Sequence, residues 1–118
     1  MNAEVSWLYE LTINPGQIGN FRTLMAELVE SARAEPDTFL YEWSLSGDER
    51  VAHVREGYAD SAATLNHLAT FRQTAGQRFR AAVTPTRLVV YGSPSEEVRE
   101  ALAALQPVYM SVFTGFAR

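Results

Sequence analysis

Residues 4–13, 38–45 and 51–58 each alternate between two kinds of side chain with the two-residue period of a strand. In the first run Val5, Trp7, Tyr9, Leu11 and Ile13 alternate with Ser6, Leu8, Glu10 and Thr12. In the second, Phe39, Tyr41, Trp43 and Leu45 alternate with Thr38, Leu40, Glu42 and Ser44, and in the third Ala52, Val54, Glu56 and Tyr58 alternate with Val51, His53, Arg55 and Gly57. Ser46-Gly47-Asp48-Glu49 supplies turn chemistry between the last two, which predicts an antiparallel pair.

Between these runs the period lengthens. Ile18, Phe21, Met25, Leu28 and Ala32 form a helical stripe, with Asn14 as candidate cap, Pro15 at the first helical position and Gln17 closing a capping box. Pro36 stops that helix. After the hairpin, Asp60 or Ser61 caps a helix whose apolar side carries Leu65, Leu68 and Ala69. The spacing of Phe71, Ala75 and Phe79 around Gly76 predicts either one bent helix from 61 to about 82 or two short ones, closed by Thr84-Pro85. Residues 87–91 read as a fourth strand buried on both faces. Ser93-Pro94-Ser95-Glu96 opens a further helix with Val98, Leu102 and Leu105 inward, and the alternation over 108–116 predicts a fifth strand.

The order is β-α-β-β-α-β followed by α-β, an α+β fold whose first six elements match the ferredoxin-like arrangement, with helices on one face of the sheet. One domain is expected over residues 1–118, with a core at 4–92 and a C-terminal extension at 93–118. Trp7, Tyr9, Phe39, Tyr41 and Trp43 load one face, and Leu8, Leu40, Val54 and Tyr58 are expected on the other. Two apolar faces under one helical layer need a second cover, and the sheet of a second copy is the simplest, so a homodimer is predicted.

Composition narrows the function. All ten basic residues are Arg, and fourteen Asp plus Glu bring the net charge to −4, which argues against a phosphate-backbone binder and hence against nucleic acid. With no Cys there is no thiolate nucleophile or Cys-based metal site, a composition that suits a reducing cytosol. No apolar run approaches the roughly eighteen residues of a membrane span, and no signal sequence is evident, so a cytoplasmic protein with no membrane partner is expected. Two histidines without HxH or HExxH spacing make a metal site unsupported, and there is no glycine-rich phosphate loop.

EPDTFLYEW followed by REGYADSAATLNHLATF resembles the antibiotic biosynthesis monooxygenase domain family. The matching positions are Glu35, Pro36, Tyr41, Glu42, Glu56, Tyr58 and His67, with Asp37 where the family usually has glycine. The resemblance covers about residues 4–92 and implies a dimeric α/β barrel with a small-molecule cavity between sheet and helices in each subunit. Among the activities it implies is oxidation of a small aromatic quinol or anthrone without metal or flavin. An electron-rich anion can then react with dioxygen itself once the protein has removed a proton and stabilised the charge. On that reading His67, Tyr58 and Glu56 are the catalytic candidates, His67 being the proton acceptor and His53 its understudy. Tyr9 and Tyr41 are candidates to bind oxygen functions, Trp7, Trp43 and Phe79 to supply flat walls, and Arg55 or Arg72 to hold developing negative charge.

Duller roles compete with each assignment: His67 can bridge its helix to Glu56, Glu56 can pair with an arginine, and the aromatic face can be core or dimer contact. Haem degradation fits poorly, because the late part of the second helix, Gln73 to Arg80, has no histidine. A non-catalytic binding or structural dimer and an isomerase or lyase working by proton abstraction are the alternatives. An enzyme is expected to hold a closed, polar-lined cavity of roughly 300 Å³ or more beside His67.

Overall fold

The computed structural model describes residues 3–118. Strand β1 (Val5–Ile13) leads to helix α1 (Ile18–Arg33), then to the hairpin β2 (Thr38–Leu45) and β3 (Val51–Tyr58). Two helices follow, α2 (Ser61–Thr74) and α3 (Gly76–Ala82), so the break at Ala75 resolves the choice in favour of two. Strand β4 (Val83–Gly92), helix α4 (Glu96–Leu102) with one 3-10 turn (Ala103–Leu105), and β5 (Val108–Met110) complete the chain.

The sheet order is β2-β3-β1-β4-β5, antiparallel except for the β4–β5 pair. Its first four strands are the expected split arrangement, and β5 is added at the edge after the α4 crossover. The helices cover one face. Leu11, Phe21, Leu24, Met25, Leu28 and Phe79 form the core beneath α1 and α3, while Val5, Trp7, Tyr58, Val90, Val98 and Leu102 form a second cluster beneath α2 and α4.

Several local expectations are corrected. Helix α1 starts at Ile18, not Pro15, because Gly16 at φ +76° adds a turn first. Asn14 does not cap the helix: its amide nitrogen donates to the Ala81 carbonyl and its oxygen accepts from the Thr84 hydroxyl, tying the end of β1 to the start of β4. Asp60 caps α2 by accepting from the Ala63 amide, and Ser95, within the expected Ser93–Glu96 opening, caps α4 by accepting from the Val98 amide. In α2 Leu65 and Leu68 pack half-buried against the second cluster as expected, Thr64 and His67 are buried beside them, and Ala69 is exposed.

Strand β4 begins at Val83 and runs through Pro85. The β1–β4 register shifts between Glu10 and Leu11, and β5 pairs only at Val89–Tyr91, so Pro85 sits at a bulge on an edge where its missing N–H is tolerated. Nor is β4 buried throughout residues 87–91, since Arg87 and Tyr91 are exposed. The predicted fifth strand shrinks to three residues, because β5 overruns the end of its partner and Val112, Phe113 and Phe116 stand exposed. Gly92 ends β4 at φ +100°, where a Cβ would stand 2.4 Å from the Glu4 carbonyl oxygen. Only glycine fits.

The two sheet faces also differ from expectation. Val54 and Tyr58 pair with Tyr9 and Val5 and face the helices, not the outside. Phe39 goes the other way. The β2–β3 register slips between Thr38 and Leu40, and the Phe39 ring lies over Gly57 on the outer face, 57% exposed. Leu8, Leu40 and Val89 share that outer face with the exposed Val51, Tyr91, Val108 and Met110.

Candidate active site

Register stacks the helix-facing side chains into rows across the strands. Tyr41, Glu56, Trp7 and Val90 form one row; Trp43, Val54, Tyr9 and Leu88 form the next; Leu45, Ala52, Leu11 and Pro85 form a third. The helices do not close completely over this floor. A cavity of about 180 Å³ remains, with Trp7, Tyr9, Tyr41 and Trp43 on the sheet side and His67, Phe71 and Phe79 on the helix side. Leu102 and Leu105 complete it from the C-terminal extension.

The cavity is smaller than expected, opens to solvent, and has a mainly apolar lining. An apolar cavity of about 150 Å³ holds a benzene ring. The enclosed part therefore suits one ring and its substituents, and a larger body must extend through the mouth.

Polar chemistry is concentrated at one end. Asp60 and the Thr64 hydroxyl fix the first turn of α2, which aims His67 inward two turns from the cap. His67 Nδ1 lies 2.9 and 3.2 Å from the two Glu35 carboxylate oxygens, and Nε2 lies 3.3 Å from Glu56 Oε1. The Tyr58 hydroxyl donates to the same Glu56 oxygen, and the Thr38 hydroxyl donates to Glu35 at 2.7 Å. His67, Glu35 and Glu56 are all about nine-tenths buried.

Burial, the strongest single influence on His67, lowers its pKa, but hydrogen bonds and charge from Glu56 and then Glu35 outweigh it, so the net shift is upward. The imidazole is a stronger base than in water. Burial also pushes the Tyr9 hydroxyl up to about 12, with the Glu56 charge adding to the effect. Tyr41 and Tyr58 are raised further, again by burial first and Glu56 second. All three tyrosines are therefore O–H donors near neutral pH. The buried Trp43 indole N–H has no hydrogen-bond partner at acceptable geometry, although it lies near enough to Tyr41 to favour the phenolate slightly.

Of the residues singled out from sequence, His67, Glu56, Trp7, Tyr9, Tyr41, Trp43 and Phe79 meet at this cavity. Tyr58 does not line it; it lies fully buried behind Glu56 and His67, its ring 5.1 Å from the imidazole, and acts on the cavity through Glu56. His53 and Arg55 are on the outer sheet face, His53 beside Glu10 at 3.4 Å and Arg55 paired with Glu42. Arg72 is exposed on α2 and does not reach the cavity. Two residues had no assigned role in the chemistry. Glu35, a family-matching position without a chemical role in that reading, is the second carboxylate on His67, and Arg80 is the guanidinium on the cavity wall. Among the described residues no group of three or more His, Cys, Asp or Glu side chains is arranged to hold a metal ion, and no helix is long and apolar enough to cross a membrane.

The profile of the family described as Antibiotic biosynthesis monooxygenase matches residues 6–85, more than half of the chain. The chain belongs to this family. The matched span contains the His67–Glu35–Glu56 cluster and most of the cavity, and stops short of Leu102 and Leu105. MupZ from Pseudomonas fluorescens superposes with a TM-score of 0.87 at 26% identity, covering 100% of this chain and 91% of its own, so its fold includes the C-terminal extension. SnoaB from Streptomyces nogalater, a cofactor-independent oxygenase, superposes at 0.66 with 18% identity over 79% of this chain and 95% of its own. The Mycobacterium tuberculosis protein Rv0793 gives 0.61, 20%, 79% and 97%. No curated protein matches significantly in sequence.

Proposed function

We propose that the protein is a monooxygenase that needs no bound cofactor and oxidises a small aromatic hydroquinone or anthrone-like metabolite. The observation that carries this reading is His67, made more basic by two carboxylates at the end of an aromatic-walled cavity. A ring slots between the sheet aromatics and Phe79 with its hydroxyl toward His67. In its neutral form, with Nδ1–H donating to Glu35, the imidazole takes the phenolic proton at Nε2, which the substrate hydroxyl reaches by displacing the 3.3 Å contact with Glu56, and both carboxylates stabilise the resulting imidazolium. The Tyr9 and Tyr41 hydroxyls, kept protonated, donate to the oxyanion. The electron-rich anion then supplies the four electrons that reduce dioxygen, one oxygen atom entering the product and the other leaving as water. Likeness in fold to the cofactor-independent oxygenase SnoaB supports this choice.

Oxygen uptake with a panel of hydroquinones and anthrones tests the proposal. Wild type should consume oxygen, His67→Ala should lose the activity, and Tyr58→Phe, which removes the hydrogen bond to Glu56, should shift the pH profile. Equal rates in all three proteins refute the assignment. The same acid–base cluster favours a second reading, an isomerase or lyase working by proton abstraction. That reading gains if substrate is converted without oxygen uptake.

The proposal includes a homodimer, supported by the exposed apolar side chains of Phe39, Val51, Tyr91, Val108 and Met110 on the sheet face that the helices leave open. Tyr91→Glu should lower the solution mass from two subunits to one. A wild-type mass of a single subunit overturns this part.

A further inference from the structure

All positive charge in the sequence is carried by ten arginines, and most are already engaged. Arg22, Arg33, Arg55, Arg78 and Arg87 pair with carboxylates, while Arg99 and Arg118 lie over aromatic rings. Arg50 lies beside Asp48 in the hairpin turn, and Arg72 is exposed on α2. Arg80 remains. Among the described residues it has no ion pair or ring contact, and it alone of the ten lines the cavity. Its guanidinium folds back over Gly76, with Nη1 3.5 Å from where a Cβ on that glycine would stand, and Gly76 is itself on the cavity wall.

The cavity thus has opposed ends. Glu56 and His67 lie at the row of Trp7, whereas Pro85 belongs to the row of Leu11, four residues farther along β1 and hence about 13 Å away. Arg80 comes from the helical turn that feeds directly into β4, where Val83 and Pro85 join the lining. An unpaired, planar, five-donor cation beside apolar walls matches a carboxylate better than a neutral group. Arg80 is exposed, so a neutral aromatic body in the cavity leaves its guanidinium with water alone as a partner. A body with an anionic group at its outer end satisfies it.

We infer that Arg80 is a specificity-determining residue at the cavity mouth, and that the preferred ligand is an aromatic carboxylic acid with its hydroxyl inward at His67 and its carboxylate outward at Arg80. This deepens the proposed function and rests on the cavity being a ligand site. It needs no oxygen chemistry, so binding alone tests it.

Two probes of matched shape separate the claims: 6-hydroxy-2-naphthoate, with hydroxyl and carboxylate at opposite ends, and 2-naphthol, which lacks the carboxylate. Calorimetric titration of the full chain at low ionic strength should give a preference for the naphthoate of about tenfold, shrinking in about 0.5 M salt as the exposed charge is screened. Arg80→Gln should abolish the preference by weakening the naphthoate far more than 2-naphthol, and Arg72→Gln, an equal change of net charge outside the cavity, should retain it. A preference that survives Arg80→Gln, or no preference in wild type, overturns the role of Arg80 while leaving the ligand site standing. If neither probe binds, both readings fall.

Discussion

The two faces of the sheet hold similar chemical groups in opposite circumstances. On the helix side His67 is about nine-tenths buried between Glu35 and Glu56; on the outer side His53 stands beside Glu10, and Arg55 pairs with Glu42 in water, both partners 60% exposed. Charge complementarity is common to both faces, and solvent is what separates them. Exposed pairs gain little after screening and loss of side-chain entropy, whereas a buried carboxylate deprived of its partner has no water to replace it. Acid–base chemistry is therefore expected only beneath the helices, at the histidine that the family resemblance singles out.

The sharpest test of this contrast is packing. Tyr58→Ala on the helix side removes a fully buried ring and should cost about 3–5 kcal/mol in urea denaturation, while Phe39→Ala on the outer face should cost about 1 kcal/mol or less in the isolated subunit. Equal losses would erase the distinction between the faces.

A smaller effect is the pH response of the buried His67. The folded pKa of His67 lies above its ordinary 6.5, so the folded chain binds that proton more tightly than the unfolded chain does. Its stabilisation is fully present below about pH 6.5 and is lost as pH rises through the folded value. Melting temperature should therefore fall over that window in wild type and fall less in His67→Gln. The smallest expected change is Glu42→Gln, which breaks the exposed pair with Arg55 and should alter stability by about 1 kcal/mol or less. A larger loss in the separated subunit would mean that the pair is less well solvated than its exposure implies.

Strands β1, β2 and β3 were legible because a period of two survives any detail of packing, and their order followed from the helices between them. Which way a strand faces was less legible. Val54 and Tyr58 alternate with His53, Arg55 and Gly57, but the pattern by itself does not say which set meets Trp7 and Tyr9; only the register does. Phe39 was misassigned because a bulge adds one residue and reverses everything before it, and no local composition announces the slip. In the site, His67 was legible from its place on α2, whereas its partner Glu35 belongs to the turn before β2, thirty-two residues away, and meets it only once the hairpin is docked. Arg80 was hidden because an arginine at a helix end usually reads as solvated surface; its lack of a carboxylate partner becomes visible only when the other guanidinium groups are accounted for.

The added helix α4 and its 3-10 turn place Leu102 and Leu105 against a cavity otherwise built by residues before 91. The end wall of the cavity is thus encoded separately from the His67 cluster. If the proposed function holds, trimming or enlarging Leu105, which unlike Leu102 lies outside the buried cluster of Trp7 and Tyr58, should change which molecules fit while leaving the histidine and its carboxylates in place, so that a chain assembled this way acquires new clientele by editing its tail.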